Sequence, residues 1–297
     1  TLVSMDRGAE LMLKMGSQRI AEALLAMKDM DYDGVWIVRK MAMNIVVPVY
    51  HHLPSSYVVE MVKGVGMQDS AGVIANMNHS KRVEILGYFD TGEQFEMQNS
   101  LDARQSGRLL TAMSIHAAND QLSKMPIRRV SEIMLSLEAK KASEIMSQMV
   151  WTTVLEITKE MWEMKLSDHA TAILENLDSS VVGLCMAQLT TDVVAQLFTK
   201  MQAEFVAKVL NENRLKHVAQ IIRLLKPPMA LEVVQNLNEK SQREVLKVMK
   251  GTWVRNMFES RVFIKRMSEL RKGEPWEHLR RVLKRYVYIQ HLRRQLH

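Results

Sequence analysis

Apolar residues recur along this chain in a pattern that repeats every twelve residues. In seven consecutive rows of twelve that start at His169, apolar side chains occupy row positions 2, 5, 6 and 9, except at Asn213 and Gln242. This is the i, i+3, i+4, i+7 spacing of one helix face. The last three positions of a row carry turn and capping residues, such as Asp-Ser-Ser or Lys-Pro-Pro. Each row is therefore predicted to form one two-turn helix and a tight corner.

The same pattern continues upstream of His169. Thirteen further rows precede it, eleven of them between Asp33 and Met164. A helix of about nine residues is too short to be stable alone, so the rows must stack on their neighbours. The sequence therefore predicts an all-α fold, an α-solenoid (superhelix) of about twenty short helices over residues 1–252, with C-terminal basic helices after it.

Methionine is unusually frequent, with 24 residues, and the repeat explains this excess. Position 9 is Met in half of the twenty rows and is apolar in every row except the one that carries Asn213. Met is a flexible side chain that fills gaps in apolar cores. The row 93–104 fits poorly, because Gln94 and Gln98 fall on its core face. We expect a local irregularity or a contact site there.

Composition excludes several classes of protein. An apolar fraction of 47% with only 6 Pro and 12 Gly is not that of a disordered chain. The sequence has no run of about 18 uncharged apolar residues, so no membrane span is predicted. The single cysteine, Cys185, leaves no internal disulfide or Cys-based zinc site, which suits an intracellular location. It lies at core position 5, where a buried and inert thiol is expected.

One row carries a resemblance to a known family. Residues 172–178, Ala-Ile-Leu-Glu-Asn-Leu-Asp, and the repeat over most of the chain resemble the superhelical N-terminal domain of MgtE-type magnesium transporters. Flagellar motor switch proteins of the FliG type use similar short-helix repeats. The resemblance implies the fold much more than the function. In the transporters this domain is acidic, senses magnesium, and is joined to a nucleotide-binding-like module and a membrane domain. Here the body is neutral and the sequence contains no membrane segment, so neither magnesium sensing nor transport is carried over.

Excess positive charge is confined to the C-terminal segment. The net charge is +7, and from Arg255 onwards there are twelve Lys and Arg against four Asp and Glu, whereas the preceding residues carry 28 basic and 29 acidic side chains. Residues 253–297 are predicted to form a capping helix and a basic amphipathic helix. RNA, an acidic protein groove or an anionic membrane surface would suit this segment, and the alternative is a solvated helix that caps the solenoid. The candidate residues for binding nucleic acid or an acidic partner are Arg271, Lys272, Arg280, Arg281, Lys284, Arg285, Arg293 and Arg294.

One short motif resembles the start of a calcium-binding loop. Asp29, Asp31 and Asp33 alternate as calcium ligands do, and a Gly follows them. The ninth and twelfth loop positions are Ile37 and Lys40, where a calcium loop needs a ligand and a bidentate Glu. We therefore predict no metal site, and the three aspartates stay as the candidate ligands. The alternative is an acidic corner in which Asp caps the next helix.

No catalytic arrangement stands out from the helical faces. The sequence shows no Ser/His/Asp signature, no paired carboxylates and no His spacing that would hold a metal. The lone Gly64-Val65-Gly66 is interpreted as a corner between rows rather than as a phosphate-binding loop. We therefore predict that the protein is not an enzyme, has no cofactor and has no small-molecule substrate.

These features predict a non-catalytic scaffold or adaptor subunit of a large assembly, with other protein subunits as partners. The first hypothesis is a ribonucleoprotein such as an organellar ribosome, with the basic segment on RNA and a mitochondrial location. The chain begins at Thr1 instead of Met, which indicates either a processed protein or a fragment of a longer one, and the first of these suits this hypothesis. The second is a protein-only scaffold of a cytoskeletal or respiratory assembly. The third is a cation-sensing regulatory domain, in which Asp29, Asp31 and Asp33 would carry a cation-dependent change of stability. Membrane contact is not expected.

Overall fold

The computed structural model of the protein describes residues 14–30, 32–164, 167–211 and 215–248. In this part of the chain there are nineteen α-helices and no strands, which confirms the predicted all-α helical-repeat solenoid. No helix among these residues is long and apolar enough to cross a membrane. The helices are α1 (Ser17–Asp29), α2 (Val35–Lys40), α3 (Met43–His52), α4 (Ser55–Val65), α5 (Met67–Ala75), α6 (His79–Leu86), α7 (Thr91–Ser100), α8 (Ala103–Leu110), α9 (Ile115–Leu122), α10 (Ile127–Ser136), α11 (Ala139–Met146), α12 (Trp151–Glu163), α13 (Ser167–Glu175), α14 (Ser179–Met186), α15 (Thr191–Phe198), α16 (Ala203–Asn211), α17 (Leu215–Leu224), α18 (Pro227–Asn236) and α19 (Glu239–Val248).

In the described part of the chain each row folds as one helix, and many of these helices end earlier in the row than the pattern predicted. Helix α15 ends at Phe198, which is row position 6, and Met201 at position 9 lies in the corner. The backbone N–H of Met201 donates to the carbonyl oxygen of Phe198 at 3.1 Å, an i→i+3 bond of the 3₁₀ type. This tighter turn keeps the Met201 side chain on the core face, and it is 5% exposed. The apolar period therefore runs through the corner.

Burial follows the predicted row positions. In the row 129–140, positions 2, 5, 6 and 9 are Val130, Ile133, Met134 and Leu137, and all four are buried. Position 3 is also buried in many rows where its residue is small, which the sequence pattern did not predict. A Cβ on Gly107, at this position in α8, would come within 2.7 Å of the Ser136 Oγ and 2.9 Å of the Leu137 Cδ2. Position 3 is therefore a point of close approach between helices.

The chain divides into two compact units, unit 1 (Thr1–Gln148) and unit 2 (Met149–His297). In both units most helices pack against the helix two places further along the chain, as in α1 with α3, α2 with α4, α12 with α14, and α13 with α15. This alternation places successive helices in two layers, as in other solenoids of short helices. The predicted boundary between the solenoid at 1–252 and the segment 253–297 lies outside the described residues and stays a prediction.

Row position 10 supplies the side-chain caps of several helices. The Asp90 Oδ1 accepts from the backbone N–H of Glu93 at 2.8 Å, and the Glu93 Oε2 accepts from the backbone N–H of Asp90 at 3.0 Å, which completes a capping box at the start of α7. Asp102 forms the same arrangement at α8. Asn78 and Ser114 cap α6 and α9 through one hydrogen bond each. The predicted capping role of the corner residues is confirmed at these positions.

The row that fits the pattern least well, 93–104, forms α7 with a polar core face. Gln98 is fully buried, and its Nε2 donates to the Ser106 carbonyl oxygen at 3.5 Å. The Gln94 Nε2 donates to the carbonyl oxygens of Leu86 and Phe89 at 3.0 and 3.1 Å. Both Oε1 atoms are buried and have no hydrogen-bond partner among the described residues. Close to this point α8 packs against α5 as well as α10, so the two-place alternation is interrupted.

Candidate functional site

The acidic corner that resembles a calcium loop is described in part, because Asp31 lies outside the described residues. Asp29 is the last residue of α1. The Asp33 Oδ1 accepts a hydrogen bond from the backbone N–H of Val35 at 2.8 Å, at the start of α2. Asp33 thus takes the capping role that was the alternative to metal binding. Among the described residues, no group of three or more His, Cys, Asp and Glu side chains is placed to hold a metal ion. The three aspartates as cation ligands stay a prediction.

The predicted RNA or acidic-partner residues, from Arg271 to Arg294, all lie outside the described residues. Their role stays a prediction for the same reason. Unit 1 and the described part of unit 2 carry mixed charges, and their ion pairs are largely exposed, as in the pair of Lys28 and Glu60 at 2.7 Å. Exposed pairs of this kind contribute little to stability.

Acidic side chains recur at row position 4 between residues 57 and 164, and most of them lie in unit 1. Position 4 is acidic in seven of the nine rows between residues 57 and 164. Three of these residues, Glu96 on α7, Asp120 on α9 and Glu144 on α11, lie on helices that pack successively in one layer. We call these three residues the position-4 stripe. The Asp120 Oδ2 lies 3.0 Å from the Lys124 Nζ, and the Glu144 Oε2 lies 3.1 Å from the Lys141 Nζ. Sequence reasoning missed the stripe because it followed the apolar positions.

A pocket of about 350 Å³ opens between α2, α3, α4 and α5, all within unit 1. Its floor is largely apolar and includes the buried side chains of Val46, Tyr50 and Val73. Two exposed residues of opposite charge, Arg39 and Asp69, also line it. We call this space the α2–α5 pocket. No sequence pattern indicates this pocket, because the lining residues come from four helices and share no single row position.

Backbone geometry at the end of α4 positions the charged rim of the pocket. The Arg39 Nη2 donates to the carbonyl oxygens of Gly64 and Val65 at 2.8 and 3.3 Å, at the C-terminus of α4. The predicted corner is found at Gly66 only, which adopts a φ of 116° that favours glycine, whereas Gly64 and Val65 still belong to α4. Asp69 follows in the first turn of α5. On the floor, burial raises the pKa of Tyr50 far above its usual range, with a smaller effect of Tyr57. The Tyr50 hydroxyl is therefore neutral at physiological pH.

The remaining titratable groups that the sequence drew attention to have structural surroundings. Cys185 is fully buried, as predicted, and burial raises the pKa of its thiol to about 11. Its Sγ lies 3.6 Å from the Trp151 carbonyl oxygen. The His51 Nδ1 lies 3.2 Å from the Asn78 Nδ2, and burial, followed by the nearby Lys81, lowers the pKa of His51. The thiol and the imidazole are thus both neutral near pH 7, and neither is arranged as an activated nucleophile.

The fold and its repeated rows define an all-α solenoid of short helices. A sequence profile of one family, described as the MgtE intracellular N domain, matches residues 53–153 and residues 163–259. These two stretches span about two thirds of the 297 residues. The chain therefore belongs to the MgtE intracellular N domain family, which confirms the resemblance seen in the sequence. Comparison with curated proteins and with solved structures gave no match.

Proposed function

We propose that this protein is a non-catalytic regulatory domain that responds to divalent cations and passes the response to a protein partner. The observation that supports this proposal is the family match, because it covers most of the described solenoid and names the MgtE intracellular N domain. The resemblance seen in the sequence is to this domain of MgtE-type magnesium transporters. From the sequence alone, this function was the third hypothesis, after two scaffold functions. Family membership now favours it over them.

The position-4 stripe supplies a suitable surface for the cation. Mg²⁺ and Ca²⁺ prefer carboxylate oxygens, and Mg²⁺ usually keeps several of its waters and takes only one or two protein carboxylates. Glu96, Asp120 and Glu144 present such groups on three helices of one layer. A hydrated cation would compete there with Lys124 and Lys141 for Asp120 and Glu144. In this proposal it bridges the stripe to an acidic surface of the partner.

Hydrogen exchange with MgCl₂ tests the proposal against NaCl of the same ionic strength. We expect Mg²⁺ to protect backbone amides of α7, α9 and α11 beyond the effect of NaCl. A variant with Glu96→Gln, Asp120→Asn and Glu144→Gln should lose this difference, whereas Asp192→Asn, an exposed aspartate of unit 2, should keep it. Asp29→Asn distinguishes a cation site on the stripe from one at the acidic corner. This substitution should reduce the Mg²⁺-specific protection only if the cation binds at the corner. Equal protection by the two salts would rule out a cation-specific response.

A protein-only scaffold is the second candidate, and two exposed apolar side chains favour it. Val83 and Tyr88 on and just after α6 are 44% and 53% exposed in a unit whose other large apolar residues are mostly buried. Tyr is enriched at protein interfaces, and Val83 adds exposed apolar surface in the same row. Affinity capture with the intact chain and with Val83→Ser/Tyr88→Ser, in the absence of divalent cations, tests this candidate. Loss of a defined protein partner in the variant, with no effect of Mg²⁺, would favour the scaffold over the cation sensor.

The ribonucleoprotein hypothesis depends on basic residues outside the described part of the chain. It is tested by repeating the capture after ribonuclease treatment, with glutamine in place of Arg280, Arg281, Lys284 and Arg285. Partners lost on both treatments, with a steep dependence on salt, would support RNA contact. Partners that resist ribonuclease would leave the two protein-based functions.

A further inference from the structure

We propose that the α2–α5 pocket binds a small zwitterion with an apolar body, such as a free amino acid with an aliphatic or aromatic side chain. The juxtaposition that supports it is an apolar floor, formed by Val46, Tyr50 and Val73, beneath a rim that carries Arg39 and Asp69. This ligand is separate from the cation of the proposed function, and neither proposal depends on the other.

The size of the pocket suits a small ligand. Its volume of about 350 Å³ lies near the lower end of the range found for small-molecule sites. Such sites are lined mainly by apolar side chains, with a few polar groups that fix the orientation of the ligand. Met41 and Met43 also line the pocket, and Met43 is partly exposed. Because Met side chains adapt their shape, they could close on apolar bodies of different form.

The two charges on the rim are available to a ligand. Neither Arg39 nor Asp69 forms an ion pair with any described residue, although both line the same space. The Arg39 Nη2 is held by the carbonyl oxygens of Gly64 and Val65, which fixes the guanidinium at the end of α4. Its Nε and Nη1 remain able to donate to a carboxylate. Asp69 could accept from an ammonium group.

A zwitterion satisfies both charges, whereas a singly charged ligand satisfies one. A carboxylate bound to a guanidinium forms charge-assisted hydrogen bonds, which are among the stronger polar contacts in proteins. An ammonium group beside Asp69 would add a second contact of this kind. The apolar body would then lie on the floor and exclude water from both contacts. The geometry therefore favours a molecule with two opposite charges at one end and an apolar group at the other.

Ligand-observed NMR with the full chain tests this proposal. Leucine and phenylalanine are the zwitterionic probes, N-acetyl-leucine lacks the ammonium group, and leucine amide lacks the carboxylate. We expect the zwitterions to bind at millimolar concentration and each singly charged analogue to bind roughly tenfold or more weakly. Hydrogen exchange should place the protection on α2 to α5.

Two variants tie each charge to its partner group. Asp69→Asn should abolish the preference for leucine over N-acetyl-leucine and keep the preference over leucine amide. Arg39→Gln should abolish the preference for leucine over leucine amide and keep the preference over N-acetyl-leucine. Asp192→Asn, which neutralises an exposed first-turn aspartate on α15, should change neither ratio. Circular dichroism of each variant establishes that it is folded. The proposal is overturned if no zwitterion binds, if the three kinds of probe bind equally, or if Asp69→Asn leaves both ratios unchanged.

Discussion

Replacing Gln98 with methionine is expected to stabilise unit 1. The Gln98 side chain is fully buried, and its Oε1 has no hydrogen-bond partner among the described residues. Burying an unpaired amide oxygen costs about 1–3 kcal/mol, and a neutral hydrogen bond returns about 1 kcal/mol. The bond from Nε2 to the Ser106 oxygen is 3.5 Å long and so returns less. Met has a similar shape and helix propensity and carries no amide group. We expect the free energy of unfolding of unit 1 to rise by about 1–2 kcal/mol.

Hydrogen exchange at increasing urea concentration measures this change separately for each unit. Slowly exchanging amides of α7, α8 and α9 report on unit 1, and those of α14 to α16 report on unit 2. The matched control is Gln196→Met, the same exchange at an exposed position of α15, which should leave the exchange of α7 to α9 unchanged. A loss of protection in α7 to α9 on Gln98→Met would refute the reasoning. It would mean that the Gln98 Oε1 accepts a hydrogen bond from a partner such as a bound water. Losing that bond would then cost more than is gained by removing the buried amide.

Asp90→Ala should destabilise α7 by about 1 kcal/mol because it removes the capping box. Glu138→Ala should not destabilise α11, because Glu138 forms no side-chain cap bond. Hydrogen exchange of the amides in each helix measures both effects. Phe198→Ala should lower the free energy of unfolding of unit 2 by about 3–5 kcal/mol in urea denaturation, and Leu184→Ala, at a half-exposed position, should have a far smaller effect. The Cys185 thiol should react with a disulfide reagent at pH 8 far more slowly than in urea, and completion within the mixing time would contradict its burial. Because the folded state raises the thiol pKa from 9.0 to about 11, the stability from the neutral thiol is complete below about pH 9 and is lost as the pH rises towards 11. Urea denaturation measures this loss. Between pH 9 and pH 11 the free energy of unfolding of the wild type should fall relative to that of Cys185→Ala.

The core could be predicted from the sequence because a helical period determines which side chains face inwards. Ile133 and Met134 follow from their row positions alone, and both are fully buried. The end of each helix could not be predicted in the same way. An α-turn and the 3₁₀ turn that follows it keep Met201 on the same face, so the apolar pattern does not record where the last α-helical bond lies.

The candidate sites were less predictable because they depend on contacts between distant rows. Arg39 approaches the carbonyl oxygen of Gly64, 25 residues later, and no local pattern indicates this contact. The position-4 stripe was present in the sequence as a regular acidic position. That three of these residues lie in one layer could be seen only from the packing of α7, α9 and α11. The capping role of Asp33 was foreseen as an alternative, since an Asp just before a helix is a common cap.

Packing between helices two places apart has a consequence for how such a chain can lengthen. If one row of twelve residues were duplicated within a unit, every later helix would move to the opposite layer and meet a different set of neighbours. Small residues such as Gly107 would then face helices that have no matching close contact. A duplication of two rows, or 24 residues, leaves each later helix in its own layer and repeats an existing contact. Growth by duplication is therefore favoured in even numbers of rows. Each copied row then stays in the layer for which its sequence is suited.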